Sequence, residues 1–213
     1  MELYLIRHGE TESNRQKRYK GWTESSLSEK GIRQAEQAAA FFSSKGIDAI
    51  YCSDLERAHN TARFIEKRTG IQPAVTPLLR EINFGCWEGM TYNEIESSWG
   101  EEIRRWIDDP FCRSAPGGET LTTVCDRMQS FLDYLGGRYS NGQRIAAVSH
   151  GGSIRALLYQ VMYLAPQDFW DIKIDNASIT KLQKVDNHFQ VVYYNHTVHL
   201  ECESNRKESP DGV

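Results

Sequence analysis

The 213-residue sequence lacks any apolar run that approaches the roughly 18 to 20 residues of a membrane span. The apolar stretch at its start, residues 1–7, is also too short for a secretory signal peptide. Five cysteines are odd in number, widely separated and without a C-x-x-C pair, so neither a disulfide framework nor a zinc site is indicated. We therefore expect a cytoplasmic protein without membrane contact, whose thiols are reduced and lie in or near a core.

An excess of positive charge is also missing, since 25 Lys and Arg stand against 29 Asp and Glu, for a formal net charge of −4. This balance argues against nucleic acid or anionic lipid as a partner. The sequence contains no G-x-x-x-x-G-K-[ST], G-x-G-x-x-G or H-E-x-x-H motif for a nucleotide or zinc. Any bound anion would need a local basic pocket.

Short apolar runs alternate with helical periodicities along most of the chain, which is typical of an α/β fold. Strands are predicted at 3–6, 49–52 and 145–148, and helices at 32–42, 55–69, 119–139 and 153–163. Gly46 and Gly70 are expected to cap the first two helices. Residues 177–185 and 188–195 flank Asp186 and Asn187 and are expected to form a hairpin or a sheet edge.

The segment 83–118 interrupts this alternation with Pro, Gly and Trp, and contains two short helical candidates at 92–99 and 101–108. We expect it to be an insertion over a site. The predicted fold is a single domain over 1–213, a three-layer α/β/α sandwich with a mostly parallel central sheet and an antiparallel edge strand.

Polar clusters follow three of the predicted strands. Arg7-His8-Gly9 follows the first, Ser53-Asp54 with Arg57 the second, and Ser149-His150-Gly151-Gly152 the third. Ligands of open α/β sheets bind at the carboxyl ends of strands. Guanidinium groups suit phosphate, and the amides of residues 151–153 begin a helix, which favours an anion. The clusters predict a phosphate pocket.

A serine hydrolase is a remote alternative, because residues 147–151 are one small substitution from the G-x-S-x-G nucleophile elbow. Ser149 would then work with Asp175 or Asp186 and with His196 or His199. This alternative leaves Arg7, His8 and Arg57 without a role.

Four motifs in order resemble those of the histidine phosphatase superfamily, the phosphoglycerate-mutase-like proteins. They are Arg7-His8-Gly9-Glu10-Thr11 with Asn14 and Gly21-Trp22, then Ser53 to Ala58, then Leu79 to Gly85, and finally Val148 to Gly151. The likeness extends from Leu3 to about Leu200. It implies a phosphatase or mutase that forms a phosphohistidine.

The resemblance also implies site residues. His8 would be the nucleophile, with Arg7, Arg57 and His150 holding the phosphoryl group, and Glu81 would be the general acid. Asn14, Gly21 and Gly151 would contribute to phosphate binding. Because the cations would supply the positive charge, we expect no metal and no cofactor.

Several neighbouring residues allow a second interpretation. Glu10 and Glu88 are weaker rivals for the acid, and Glu81 in a purely structural role would pair with Arg80. The basic run of Arg15, Lys17, Arg18 and Lys20 is more typical of a solvated loop than of a substrate funnel.

The middle of the chain limits which reaction and which substrates are expected. Mutases of this family carry polar substrate contacts where this sequence has Ile82, Phe84 and Tyr92. Residues 85–89, G-C-W-E-G, instead resemble the phosphatase branch, which includes α-ribazole phosphatases and broad-specificity phosphatases. The expected function is a metal-independent phosphomonoesterase for a small phosphorylated metabolite, with α-ribazole 5'-phosphate as one candidate.

Three alternatives remain open: a cofactor-dependent phosphoglycerate mutase, a phosphoserine phosphatase suggested by His199-Leu200, and a non-catalytic relative, which would be expected to lack His8 or Glu81. Aromatic residues could line an apolar pocket for a ring-bearing leaving group: Trp87, Trp99, Trp106 and Phe111. A homodimer is also left open.

Overall fold

The computed structural model describes residues 1–186 and 188–200. The strands are β1 (Glu2–Arg7), β2 (Ala49–Cys52), β3 (Ala74–Val75), β4 (Arg144–Ser149), β5 (Ile179–Val185) and β6 (His188–His196). The α-helices are α1 (Glu12–Arg15), α2 (Glu29–Phe42), α3 (Glu56–Thr69), α4 (Tyr92–Asp108), α5 (Leu121–Arg138) and α6 (Gly151–Val161). Short 3-10 helices cover Pro77–Leu79, Gly85–Trp87, Pro166–Asp171 and Val198–Leu200.

The six strands form one sheet in the order β3-β2-β4-β1-β5-β6. The first four strands in this order are parallel, whereas β5 runs antiparallel to β1 and β6 antiparallel to β5. The predicted, mostly parallel α/β sheet is therefore confirmed. Its antiparallel part is a two-stranded hairpin rather than a single edge strand.

Side chains of β1 alternate between the two faces of the sheet and belong to two separate cores. Leu3 and Leu5 pack with residues of α4, α5 and α6, while Tyr4 and Ile6 pack with residues of α2 and α3. Because β1 is central and covered on both faces, its apolar run is continuous rather than alternating. Helices on both faces confirm the three-layer sandwich.

The cap of the first predicted helix differs from the sequence prediction. Helix α2 ends at Phe42, so Gly46 is not its cap, although Gly46 does adopt a left-handed conformation in the following turn. Helix α4 is kinked at Trp99, which has the non-helical angles φ −138° and ψ 34°, so its two parts agree with the two helices predicted at 92–99 and 101–108. Gly70 caps α3 as predicted, with φ 76°.

The segment 83–118 packs into the core beside α5, with Trp87 and Ile103 completely buried. Its description as an insertion over the site stays a prediction. The predicted hairpin is confirmed, and Asp186 supplies the left-handed turn residue; Asn187 lies outside the described residues. Cys52 and Cys125 are buried as expected, Cys86 and Cys112 are exposed, and Cys202 is outside the described residues. In the described part of the chain, no helix combines the length and apolarity needed to cross a bilayer.

Candidate active site

A cavity of about 260 Å³ lies at the carboxyl end of β1. The residues that line it are Arg7, His8, Thr11, Asn14, Lys17, Arg18, Tyr19, Lys20, Arg57, Glu81 and Phe84. Five of the eight predicted site residues are in this set. The other three, Gly21, His150 and Gly151, are not in it.

The pairing of β1 with β4 explains how two histidines from distant parts of the chain meet. Arg7 lies opposite Ser149 in the parallel register, so the next residue of each strand, His8 and His150, are neighbours. Their ring centroids are 5.1 Å apart. The convergence expected from the strand ends is therefore present.

His8 is buried and its tautomer follows from one contact. Its Nδ1 lies 2.7 Å from the carbonyl oxygen of Gly9. Because a carbonyl can only accept, Nδ1 carries the hydrogen and Nε2 keeps a lone pair. Burial, and then the charges of Arg57 and Arg7, hold the pKa of His8 well below its usual range. The ring is neutral at physiological pH.

Of the two predicted arginines Arg57 is buried and Arg7 is half-buried, and both are fixed by backbone carbonyls. Arg7 donates from Nη1 to Ile174 over 2.6 Å, and Arg57 donates from Nη2 to Gly21 over 2.6 Å and from Nη1 to Thr23 over 3.1 Å. Neither forms an ion pair with a carboxylate among the described residues. Buried charges are usually compensated, so this pair of guanidinium groups favours an anion in the cavity.

Gly21 therefore supports Arg57 with its carbonyl instead of lining the cavity. A Cβ at this position would overlap with the Glu88 carboxylate and with the backbone at Ile82. Glu88 itself accepts from the amides of Trp22 and Thr23 over 2.7 and 2.6 Å. These contacts hold the loop that positions Arg57.

His150 lies behind the cavity rather than in its wall. The ring is completely buried, and neither nitrogen has a hydrogen-bond partner among residues 1–186 and 188–200. Burial, followed by the charge of Arg57, places its pKa well below the usual value. A buried imidazole with both nitrogens free is costly unless a ligand supplies a partner.

Glu81 occupies the helix N-terminus that the sequence assigned to phosphate. Its carboxylate accepts from the amides of Gly152 and Ser153, each over 3.1 Å, and from that of Ile82 over 2.9 Å. A carboxylate of the same chain thus satisfies two of the three amides expected to bind phosphate, and phosphate binding at this helix N-terminus stays a prediction. Gly151 packs against the Arg7 side chain.

The rival roles for these carboxylates are also resolved by their contacts. Arg80 pairs with Asp54 over 2.6 Å and not with Glu81. Glu10 pairs with Lys30 over 2.9 Å. Neither Glu10 nor Glu88 lines the cavity, which leaves Glu81 as the carboxylate in its wall.

Asn14 is oriented by a residue that the sequence analysis missed. Its Oδ1 accepts from the amide and hydroxyl of Thr11, each over 3.0 Å, and from Nδ2 of Asn176 over 3.1 Å. Asn176 also donates to the carbonyl of His8. With Oδ1 occupied, Nδ2 of Asn14 is the group that can donate into the cavity. An isolated asparagine before β5 carries no sequence signal for this role.

The basic segment is part of the cavity, contrary to the preference for a solvated loop. Lys17, Arg18 and Lys20 line it, and Arg18 is held by Glu94 over 2.8 Å. Only Arg15 turns away, to pair with Glu12. Ser149, the remote alternative nucleophile, is buried and donates to the carbonyl of Leu79 over 2.9 Å.

A second cavity of about 390 Å³ adjoins the first and shares Tyr19, Glu81 and Phe84 with it. The remaining residues of its wall are Ile82, Trp106, Ile107, Leu121, Gly152, Arg155, Phe169 and Trp170. Of the four aromatic residues predicted to line an apolar pocket, only Trp106 does so. Trp87 is in the core, and Phe111 packs against Tyr159 and Phe169.

Comparison with known proteins identifies the family. The sequence model of the histidine phosphatase superfamily (branch 1) matches residues 3–197. The chain belongs to the histidine phosphatase superfamily. The match includes the four motifs on which the resemblance was based. The prediction of a phosphatase is confirmed at the level of the family.

Relatives of this histidine phosphatase carry several substrate names. It is 32% identical to phosphoserine phosphatase 1 of Hydrogenobacter thermophilus, over 94% of both chains. It is 30% identical to adenosylcobalamin/alpha-ribazole phosphatase of Salmonella typhimurium, over 83% of this chain and 87% of that one. The solved structure of mycobacterial glucosyl-3-phosphoglycerate phosphatase with VO3 superimposes with a TM-score of 0.84, at 29% identity over 92% of this chain and 98% of that one.

Proposed function

We propose that this histidine phosphatase hydrolyses a small phosphomonoester through a phosphohistidine at Nε2 of His8. The observation that carries the proposal is the contact of His8 Nδ1 with the Gly9 carbonyl, which leaves a neutral Nε2 in a cavity that also holds the guanidinium groups of Arg7 and Arg57. A neutral imidazole is the nucleophilic form, and the depressed pKa of His8 keeps it available at physiological pH.

In the first step, Nε2 of His8 attacks phosphorus and the bond from phosphorus to the ester oxygen breaks. Arg7, Arg57 and the Nδ2 of Asn14 stabilise the charge on the three non-bridging oxygens. His150 donates to one of these oxygens, which would give a partner to a ring nitrogen that otherwise has none. Glu81, entering protonated, gives its proton to the departing alkoxide.

In the second step, water attacks the phosphohistidine and the bond from phosphorus to nitrogen breaks. Glu81, now a carboxylate, accepts a proton from that water, and inorganic phosphate leaves. His8 returns to its neutral form and Glu81 to its protonated form. The charge on the reacting group is met by side chains of this protein, so the proposal requires no metal and no cofactor.

A phosphatase is favoured over a phosphoglycerate mutase by the wall next to Glu81. Ile82 and Phe84 line the second cavity, where substrate-gripping polar side chains would be needed for a mutase. The names of the relatives support phosphoserine or α-ribazole 5'-phosphate as candidates. A cytoplasmic location, a homodimer and the lack of a nucleic-acid partner stay predictions from the sequence.

The test is a comparison of wild type with His8→Asn on p-nitrophenyl phosphate and a panel of alkyl phosphates, with EDTA present. We expect turnover in wild type and a loss of about a thousandfold or more in His8→Asn, because the covalent route is removed. Rapid quenching and mass spectrometry should find phosphate on His8 of wild type.

The matched control is His188→Asn, an exposed histidine of β6, which should retain full activity. Circular dichroism should show both variants folded. If wild type turns over none of the esters and traps no phosphohistidine, the proposed function is wrong.

A further inference from the structure

The second cavity combines aromatic walls with one guanidinium group. Its lining includes Phe84, Trp106, Phe169 and Trp170, and Arg155 supplies the cation. Trp106 is almost completely buried, and its indole nitrogen has no acceptor in the described part of the chain. An apolar pocket with a few polar groups is the usual form of a small-molecule site.

Arg155 lies on α6, one turn after the glycines that begin the helix. Its Nε donates to the carbonyl of Ile172 over 2.9 Å, and its guanidinium carbon lies 5.6 Å from the ring centroids of both Phe169 and Trp170. These contacts fix the plane of the group. Its two terminal nitrogens make no hydrogen bond, and no carboxylate pairs with it, among residues 1–186 and 188–200.

Glu81 stands at the boundary of the two cavities and lines both. In the proposed reaction it meets the ester oxygen of the leaving group. A phosphoryl group held by Arg7 and Arg57 therefore directs the rest of the substrate past Glu81 and into the aromatic cavity. Arg155 lines the second cavity but not the first, and the Glu81 charge partly offsets the lowering by burial of the pKa of both Arg7 and Arg155.

We propose that the second cavity binds the leaving group of the substrate and that Arg155 pairs with a carboxylate on it. The proposal rests on the proposed function and narrows its substrate class to phosphomonoesters whose apolar or aromatic body carries a carboxylate. A planar guanidinium matches a carboxylate with two parallel hydrogen bonds. One cation in an aromatic wall balances a single charge, so a carboxylate fits better than a dianionic second phosphate.

A neutral ring fits the same walls but leaves Arg155 without a partner. Phosphoesters of neutral heterocyclic alcohols should therefore be turned over less efficiently than carboxylated ones of similar size. Arg155 is thus assigned as a specificity residue that touches the substrate away from phosphorus.

The test uses phenyl phosphate and 3-carboxyphenyl phosphate, which differ only by the carboxylate, with wild type, Arg155→Gln, Arg155→Lys and Arg63→Gln. Arg63 is an exposed arginine of α3 and is the matched control. For wild type and Arg63→Gln, we expect kcat/KM to be about tenfold higher with the carboxylated ester than with phenyl phosphate, because its KM is lower. Arg155→Gln should lose this preference and Arg155→Lys should keep part of it.

Calorimetry measures the binding of phenyl phosphonate and 3-carboxyphenyl phosphonate to the same four proteins. It reports the preference for the carboxylated ligand in the absence of turnover. Equal affinity of wild type for the two phosphonates overturns the inference. An equal loss of affinity for both phosphonates in Arg155→Gln also overturns it, because Arg155 would then have only a structural role. Turnover of phenyl phosphate by wild type upholds the proposed function in either case. Inactivity on both esters with a retained binding preference would overturn the proposed function alone.

Discussion

His8 and His150 illustrate how burial and neighbouring cations together set the chemistry of a side chain. Both rings are enclosed at the end of the central strands, and both face guanidinium groups. Each of these features disfavours the protonated form. The proposed nucleophile, His8, is thus kept neutral by the same cations that are proposed to bind its substrate.

This arrangement predicts that stability falls in mild acid. The pKa of each histidine is lower in the folded protein than the value near 6.5 of an unfolded chain, so the unfolded state binds more protons below that pH. The free energy of unfolding should therefore rise with pH up to about 6.5 and level off above it. At pH 5.5 the low pKa of each histidine should reduce the free energy of unfolding by up to about 1.4 kcal/mol relative to its value at neutral pH.

Urea unfolding of wild type and His150→Asn at pH 5.5, 6.5 and 7.5 measures the contribution of one ring. The groups that face it, Arg57, His8, Arg127 and Arg7, are the same in both proteins. Wild type should lose up to about 1.4 kcal/mol more than the variant between pH 7.5 and 5.5. If the difference in unfolding free energy between wild type and His150→Asn is the same at all three pH values, the low pKa of His150 is contradicted. The exposed His188→Asn variant should have the same pH dependence of stability as wild type.

At the scale of elements, the contact between Glu81 and the start of α6 joins two motifs that the sequence presents separately. Gly152 makes it possible, because a Cβ there would overlap with Glu81 Oε1. The amides of this helix hold the carboxylate at the edge of both cavities. A side chain on residue 152 must therefore displace the proposed acid.

Gly152→Ala should slow hydrolysis of alkyl phosphates by about a hundredfold, while p-nitrophenyl phosphate, whose leaving group needs little protonation, should be less affected. The same pattern is expected for Glu81→Gln. Gly137→Ala is the control, since its Cβ would meet nothing within 4 Å on an exposed position of α5. Equal losses on both ester types in Gly152→Ala would mean that Glu81 is not the acid.

The sequence was most informative where an element is buried on both faces. The runs of β1 and β4 are continuous because helices cover both sides of the sheet, and the polar residues that follow them were correctly expected to meet. The occupancy of the α6 N-terminus by Glu81 was missed because it depends on a contact 71 residues apart. Arg155 was missed because periodicity does not show which side of a helix borders a cavity. Asn176 was missed because it lies in the turn before β5, outside any periodic pattern.

The charge of the whole molecule is distributed unevenly. Its formal charge is −4, yet Lys17, Arg18 and Lys20 gather at the cavity that holds Arg7 and Arg57. A cavity surrounded by cations on a protein of net negative charge suits a small anion better than a polyanion. The segment interpreted from the sequence as solvated is thus part of the route to the site.

Added salt should therefore weaken substrate capture. Between about 20 and 200 mM NaCl, KM for an anionic ester should rise about two- to fivefold with kcat unchanged, because exposed charges are screened. The double variant Lys17→Gln/Lys20→Gln should have a higher KM at low salt and a smaller salt dependence. Lys67→Gln, an exposed lysine of α3, should behave as wild type; equal salt dependence in all three proteins would exclude a role for this segment.

The position of β1 in the middle of the sheet has a consequence for how the protein is made. Although β1 precedes the other strands in the sequence, it pairs with β4, which begins at Arg144, and with β5, which begins at Ile179. The amide of Ala177 also bonds to the carbonyls of Arg7 and His8. The strand that precedes His8 therefore lacks its partner β5 until residues beyond 179 have been synthesised, and such long-range pairing is slow to form. Nascent chains that stop before residue 177 should be catalytically silent.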